Sequence, residues 1–389
     1  MSGFDPQVEP AETLSSAEIE RYSRQIILPG VGLEGQRRLK NARVLIIGAG
    51  GLGAPTIMYL AAAGVGTIGI VDDDVVDSSN LQRQVIHRED AVGQPKVDSA
   101  QHFVHGLNPL VTVVRHQLRL DSSNVLDLFR RYDLVLDGTD NFATRYLVND
   151  AAAIAGIPLI WGSILRFDGQ VSVFWNEKGP TYRDLYPEAP PAGLVPSCAE
   201  AGVFGVLCAQ IGSVMAGEAI KLITGIGNPL VGRVMILDAL EMSWTEVTLE
   251  KDPETVQPRE LLADYPAFCG MPSRGEPSIE VPEVSVQELK ELLDAREAGT
   301  QSFELIDVRE AGEADIARIS GATLVPRADV LSGEVELPRD AEIILHCKSG
   351  GRSAEVGRFL MAQGYEHVRH VRGGVNAWIS SGQPGGSVY

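Results

Sequence analysis

The sequence predicts an α/β protein in which a Rossmann-like, doubly wound, mostly parallel sheet precedes a smaller α/β domain. Three observations predict it. Short branched apolar runs alternate with helical stretches from residue 43 to 174. Residues 44–71 carry no charge over 28 positions yet hold seven glycines and Pro55. That run reads as strand, glycine turn, helix and strand in a buried core rather than as a bilayer span. Finally, the stretch MPSRGEPSIEVPEV breaks the pattern with Pro, Gly and charge, and a second α/β pattern of about 105 residues follows it. The division expected is a leader at 1–15, a first domain at 16–270, a linker at 271–283 and a second domain at 284–389.

Taken in order, a helix starts at Ser16, which is expected to cap it. Strands follow at 43–48, 67–71, 111–115, 133–137, 157–161 and 169–174, with helices at 54–63 and near 124–131. Residues 176–196 dissolve into Pro, Gly and Tyr, a long loop of the functional kind. Helix resumes at 199–223. A helix opens the second domain near 284, with strands at 304–308 and 342–346.

The 389 residues include 33 basic and 52 acidic side chains, a net charge of -19. That balance argues against nucleic-acid and anionic-membrane partners, although a local basic pocket can still hold an anion. The four cysteines, Cys198, Cys208, Cys269 and Cys347, form no CxxC pair, too sparse a set for a disulfide scaffold. The N-terminus lacks a basic and apolar leader, so a cytoplasmic protein is expected.

Gly48-Ala-Gly50-Gly51-Leu-Gly53 is GxGxxG between a strand and a helix, where small residues let backbone approach phosphate at a helix N-terminus. Asp72 ends the next strand, about where an acid meets a ribose hydroxyl. Alone, this motif fits an NAD binder or a plain tight turn equally well. Ser79-Asn80-Leu81-Gln82-Arg83-Gln84 and Gly93-Gln-Pro-Lys96 then bring an Asn, an Arg and a Lys towards the same end. Asp137-Gly-Thr-Asp140-Asn141 ends a later strand, and a carboxylate there can hold magnesium. Hydride transfer needs neither a metal nor clustered cations, whereas nucleotidyl transfer needs both.

Together these residues resemble the E1-like adenylyltransferases of the HesA/MoeB/ThiF family, over about 15–270. Arg21-Tyr22-Ser23-Arg24-Gln25 adds to the match. The resemblance implies ATP and magnesium, with Gly51 and Asp72 on the nucleotide and Asn80, Arg83 and Lys96 on ribose and phosphates. It implies Asp140 on the metal with Asn141 beside it, and Arg24 reaching into the partner's site in a homodimer.

Cys347 ends a strand and opens Cys347-Lys-Ser-Gly-Gly-Arg352-Ser353, with a helix expected from Ser353. A nest of backbone N–H groups, with Arg352 and Lys348, should lower the thiol pKa. This loop, Asp307-Val-Arg309-Glu310 and Arg372-Gly-Gly-Val-Asn-Ala-Trp378 resemble the rhodanese-like sulfurtransferases. A phosphatase is the other reading, but its Cys-to-Arg spacing is one residue longer. Arg318 stands where many relatives have His.

The combined resemblance is to fused MoeB–rhodanese enzymes. It implies adenylylation of the C-terminal Gly-Gly of a ubiquitin-like sulfur carrier, then sulfur transfer from a persulfide on Cys347. A cysteine desulfurase or thiosulfate would supply the sulfur. Cys198, near an expected helix start, would form a thioester or resolve an acyl disulfide; a capping or core role is the alternative. Two CxxC pairs hold structural zinc in many E1-like relatives. Here their places read Thr181-Tyr-Arg-Asp184 and Pro266-Ala-Phe-Cys269, so no structural zinc is expected, and Asp184, Tyr182 and Tyr186 are candidates to hold the loop instead. Alternative functions are an activator for protein conjugation, thiamine or tRNA thiolation, an NAD-dependent oxidoreductase fused to a sulfurtransferase, and a scaffold for a carrier.

Overall fold

The computed structural model describes residues 4–190, 202–269 and 280–389. These fall into two compact units, one of 4–189 with 202–269 and one of 280–389. The first is built on eight strands: β1 (Arg43–Ile47), β2 (Thr67–Val71), β3 (Thr112–His116), β4 (Leu134–Asp137), β5 (Leu159–Leu165), β6 (Asp168–Phe174), β7 (Arg233–Asp238) and β8 (Ser243–Thr248). Their order is β3-β2-β1-β4-β5-β6-β7-β8. The first five are parallel, and β6 to β8 continue the sheet antiparallel. The charge-free run from Val44 to Val71 is therefore β1, the helix Gly53–Ala63 and β2, buried as a crossover unit.

Strands are added outward in opposite senses from β1, whose parallel neighbours β2 and β4 lie on its two sides. Such a switch point opens a crevice at the carboxyl ends of the strands, where α/β sheets take ligands. Of the described helices, Gly205–Thr224 is the one long and apolar enough to cross a membrane, and more than half of its apolar window is buried. Its apolar face packs on Gly53–Ala63, β5 and β6, which makes it a core helix.

Several elements differ from expectation. Ser15, not Ser16, caps the first helix, because its side chain accepts from Glu18 N–H while the Glu18 carboxylate returns to Ser15 N–H, a reciprocal capping box. Among the described residues the long helix starts at Gly205, since the backbone just before it is engaged elsewhere: Val203 bridges Arg166, and Phe204 N–H bonds Arg166 O; the expected start at 199 lies outside the described residues. The segment after Asn176 contains a helical turn, Tyr182–Leu185. Strands β7 and β8 went unforeseen; every residue of β8 is exposed, so it carries no buried apolar pattern to read.

The second unit is a parallel sheet of five short strands: β9 (Glu283–Val284), β10 (Glu304–Asp307), β11 (Thr323–Leu324), β12 (Ile343–His346) and β13 (Val368–Val371), in the order β11-β10-β12-β13-β9. Apolar clusters fill both of its faces. Strands β9 and β11 are two residues long, too short for a periodic signal, and β13, Val-Arg-His-Val, is interrupted by two polar residues.

Candidate functional site

The first site is a cavity of about 390 Å³ at the switch point of the large sheet. Its wall includes Gly48, Gly50, Gly51, Asp72, Arg83, Lys96, Asp140 and Asn141, residues drawn from motifs almost a hundred positions apart. The glycine turn is braced at one residue. Ala49 N–H donates to Asp72 Oδ2 at 2.8 Å, and Ala49 O receives His87 Nε2 at 3.0 Å. His87 Nδ1 lies 2.9 Å from Ser99 Oγ, so the imidazole is a donor at Nε2 and an acceptor at Nδ1. Burial keeps it neutral by pushing its pKa down. Gly53 starts the following helix and does not line the cavity; a Cβ there would overlap the Gly48 carbonyl.

Burial raises the Asp72 carboxyl above its ordinary value, against the pull of Lys96. Lys96 is buried, with its ammonium 2.9 Å from the exposed Asp74 carboxylate. A phosphate can compete for that ammonium, because Asp74 faces water. Asp72, Asp73 and Asp74 bring carboxylate oxygens within 4.8 Å of one another. Asp140 is exposed at the rim, and Asn141 caps the helix Phe142–Ala155 by accepting from Thr144 N–H at 2.9 Å. Beneath them Asp137 is fully buried with one oxygen unpartnered, and burial raises its pKa.

Four residues of the SNLQRQ motif, Ser79, Asn80, Leu81 and Gln82, are not in the wall. Asn80 Oδ1 accepts from Asp77 N–H, Ser79 O receives Arg83 Nη1 at 3.1 Å, and Gln82 packs against Gly205. These contacts hold the turn that aims Arg83. Arg24 is exposed on the last turn of helix Ser16–Ile26 and is absent from its own chain's cavity wall. Tyr22 and Gln25 pin that helix through Asn108 and Ala63. Sequence reasoning missed Asp73, Asp74, Thr139, Thr144, Arg145 and the Leu118–Leu120 wall. It quoted Gln84 but gave it no place in the site. Only the Arg145 signal, a charge on an otherwise apolar helix face, was open to notice.

The segment at the place of the absent CxxC pairs is tied by polar contacts. Asp184 accepts from Thr181 N–H, Thr181 Oγ1, Gln257 Nε2 and Asp252 N–H. Arg183 forks onto the fully buried Asp150 at 2.8 Å twice, and Tyr265 O–H donates to the same carboxylate. Tyr186 O–H reaches Gln170, while Tyr182 contributes its backbone N–H to Asn149 and its ring to an aromatic cluster with Tyr146, Trp161 and Phe174. Cys269 is buried beside these rings, and burial pushes its thiol up to about 11. Cys208 is buried in the helix core. Cys198 lies outside the described residues.

The second site is Cys347, buried at the end of β12. Its sulfur accepts from Gly350 N–H at 3.1 Å, Ser353 N–H at 3.4 Å and Ser353 Oγ at 3.5 Å. The helix begins at Gly351, two residues before the expected start, so its first turn points at the sulfur. The cationic part of the expectation needs correction. Arg352 does not turn to the thiol but forks onto Glu313 at 2.6 and 2.7 Å, and Lys348 lies over the Tyr389 ring. Among the described residues, the groups that donate to the sulfur are two backbone N–H groups and one hydroxyl. A phosphate loop would aim that arginine inward, so this geometry favours a sulfur atom as cargo. Arg318 is exposed and pairs with Asp315.

The ThiF family matches residues 22–258 and the rhodanese-like domain matches residues 285–381. The chain belongs to the ThiF family. This ThiF-family chain is 54% identical over 389 residues to the Mycobacterium tuberculosis protein named "Probable adenylyltransferase/sulfurtransferase MoeZ", with 98% of each chain covered. It is also 54% identical over 266 residues to the "Sulfur carrier protein adenylyltransferase" of Thermus thermophilus, covering 65% of this chain and 97% of that one. A crystal structure of Escherichia coli MccB shares the fold alone, with a TM-score of 0.56, 23% identity, and coverage of 61% and 74%. The ThiF-family chain is thus a bifunctional enzyme of adenylylation and sulfur transfer, one that uses ATP and a persulfide-forming cysteine.

Proposed function

We propose that the chain adenylylates the C-terminal Gly-Gly carboxylate of a ubiquitin-like sulfur carrier and converts it to a thiocarboxylate. Residues 16–270 perform the first reaction and 284–389 the second, joined by 271–283. The observation that carries this reading is the wall of the first cavity, with bare glycine backbone, Arg83 and Lys96, and carboxylates at the rim. This set suits a nucleotide triphosphate and not merely a dinucleotide, because the cations face where phosphate charge is relocated. The relative named for a sulfur carrier supports the choice of partner.

The tail carboxylate attacks the α-phosphorus of ATP, pyrophosphate leaves, and an acyl-adenylate remains. Arg83, Lys96 and Arg24 of a second copy in a homodimer stabilise charge that develops in transit. Asp140, with Asp72 to Asp74 nearby, offers the hard oxygen donors that magnesium takes, and the ion would neutralise the pyrophosphate. Cys347 takes a sulfur atom from thiosulfate or a cysteine desulfurase. Its persulfide attacks the acyl carbon and releases AMP. Cys198 thiolate then attacks the Cys347 sulfur, which frees the thiocarboxylate and leaves a Cys198–Cys347 disulfide for a reductant. In the first domain the Asp184 and Asp150 contacts take over the fastening that zinc gives elsewhere, so no structural zinc is required. The enzyme works in the cytoplasm.

The test is mass spectrometry of diglycine-tailed carriers incubated with the protein, ATP, magnesium and thiosulfate. A carrier heavier by 16 Da, one oxygen exchanged for sulfur, is the expected product. Cys347→Ala should keep ATP–pyrophosphate exchange and lose that product. A variant that loses both, or no carrier that ever elicits exchange, would refute the division of labour.

A further inference from the structure

The strap 384–389 is fastened at several points and ends beside Lys348, the residue after Cys347. Trp378 Nε1 donates to Pro384 O at 2.9 Å, Arg318 N–H to Gly385 O at 2.7 Å, and Gly386 bridges Ala317. Its tyrosine ends in a directional chain. Arg309 is fully buried, and its remaining N–H groups are committed to Asp307, Glu313 O and Ala317 O. Arg309 Nη1 therefore donates to Tyr389 Oη at 2.7 Å, and Tyr389 O–H donates to Glu313 Oε1 at 3.0 Å. Burial pushes the phenol up to about 12, so it stays a donor. Burial also works to raise Glu313, but the Arg352 fork overcomes it and holds the carboxyl below its ordinary value. The ring of Tyr389, fixed in this way, carries Lys348 Nζ 4.6 Å from its centroid.

The two kinds of cation in the loop are thus treated differently. Arg352 and Arg309 each spend their charge on a carboxylate. Among the described residues no carboxylate pairs with Lys348. A cation held on an aromatic face is oriented without being neutralised, because the ring quadrupole carries no net charge. Lys348 follows Cys347 directly in sequence.

We propose that Tyr389 is a positioning residue that sets Lys348 as the cation meeting an anionic sulfur donor at Cys347. The inference rests on the sulfur-transfer reading above and adds to it the residue that orients the charge next to the thiol.

The test compares two alkylating probes of the same chemistry and different charge, iodoacetate and iodoacetamide, on the full chain, with the labelled cysteine located by mass spectrometry. The ratio of their rates at Cys347 reports local charge, and the iodoacetamide rate reports the thiol itself. Tyr389→Leu should lower the ratio roughly three- to five-fold, as loss of one screened positive charge nearby would. Lys348→Gln should lower it as much. Tyr389→Phe keeps the ring and loses the anchor, so it should fall in between. Tyr389→Leu should lower the ratio no further in a Lys348→Gln background. An unchanged ratio in Lys348→Gln, which has little reason to misfold, overturns the proposal, as does an additive double variant. A label that avoids Cys347 would sink the sulfur-transfer reading itself, whereas a Cys347 label at wild-type ratio sinks only the role of Tyr389.

Discussion

The glycine turn makes opposite demands at two adjacent positions. A Cβ on Gly51 would lie 2.7 Å from Cys208 Sγ and 3.5 Å from Cys208 Cβ, inside the packed core. A Cβ on Gly50 would meet only Gln84 Nε2, at an ordinary 3.7 Å, and would otherwise face the cavity. Gly51→Ala therefore overpacks the core, which costs about 1–3 kcal/mol. Cys208→Ala removes the offending sulfur and leaves a small void at about 1 kcal/mol. In the double variant the new methyl group occupies that void, so the two changes should couple favourably by about 1–2 kcal/mol. Gly50→Ala should leave stability within about 0.5 kcal/mol. It should raise the KM for ATP in pyrophosphate exchange by tenfold or more, on the order of 1.4 kcal/mol, because the methyl occupies space reserved for phosphate. Urea unfolding of the full chain without nucleotide measures the first set, and exchange kinetics measure the second. Failure of Cys208→Ala to rescue Gly51→Ala, or a Gly50→Ala protein as unstable as Gly51→Ala, would refute the reasoning.

Three further outcomes are expected. Asp140→Ala should abolish ATP–pyrophosphate exchange at millimolar magnesium; retained exchange would remove that carboxylate from the metal. Arg183→Met leaves the fully buried Asp150 without its cation, and urea unfolding should show a loss of about 3–5 kcal/mol; an unchanged midpoint would refute the role of the pair. His346 is wholly buried, among the described residues its ring nitrogens lack a well-formed side-chain hydrogen bond and Asp307 Oδ1 stays 3.8 Å away, and burial pushes its pKa down to about 4. Between its ordinary 6.5 and that value the unfolded chain binds a proton that the folded chain refuses. Stability should therefore fall as pH drops through this window, by up to about 3 kcal/mol, with no further loss from this group below it. Hydrogen exchange of β10 and β12 amides at pH 7 and 5, corrected for intrinsic rates, should show that loss in the wild type and a flatter response in His346→Leu.

Much of the first site was legible before folding. The glycine turn, Asp72 and Asp140 follow strands whose apolar runs are plain in the sequence, Arg83 and Lys96 stand in quoted motifs between them, and all five line one cavity. The supports were not legible. His87 braces Ala49 from 38 residues away, and nothing about an isolated histidine announces that partner. Asn80, expected on the nucleotide, also closes a turn by accepting from Asp77 N–H, a contact that the motif does not announce. Arg352 was read as the cation of the thiol, but its carboxylate partner lies 39 residues upstream.

The sequence alone therefore determined what is local: where strands and helices run, where backbone must be bare, and which thiol ends a strand in front of a glycine loop. Those features follow from period, glycine geometry and burial preference, which act over a few residues. The tertiary structure alone decided which side chains meet. The strand order brings ends separated by dozens of residues to one crevice, and a charge or hydroxyl bonds whatever group the fold sets beside it. For that reason the cradle of Cys347, the Arg352–Glu313 fork and the seat of Lys348 on Tyr389 became readable only once the chain was folded.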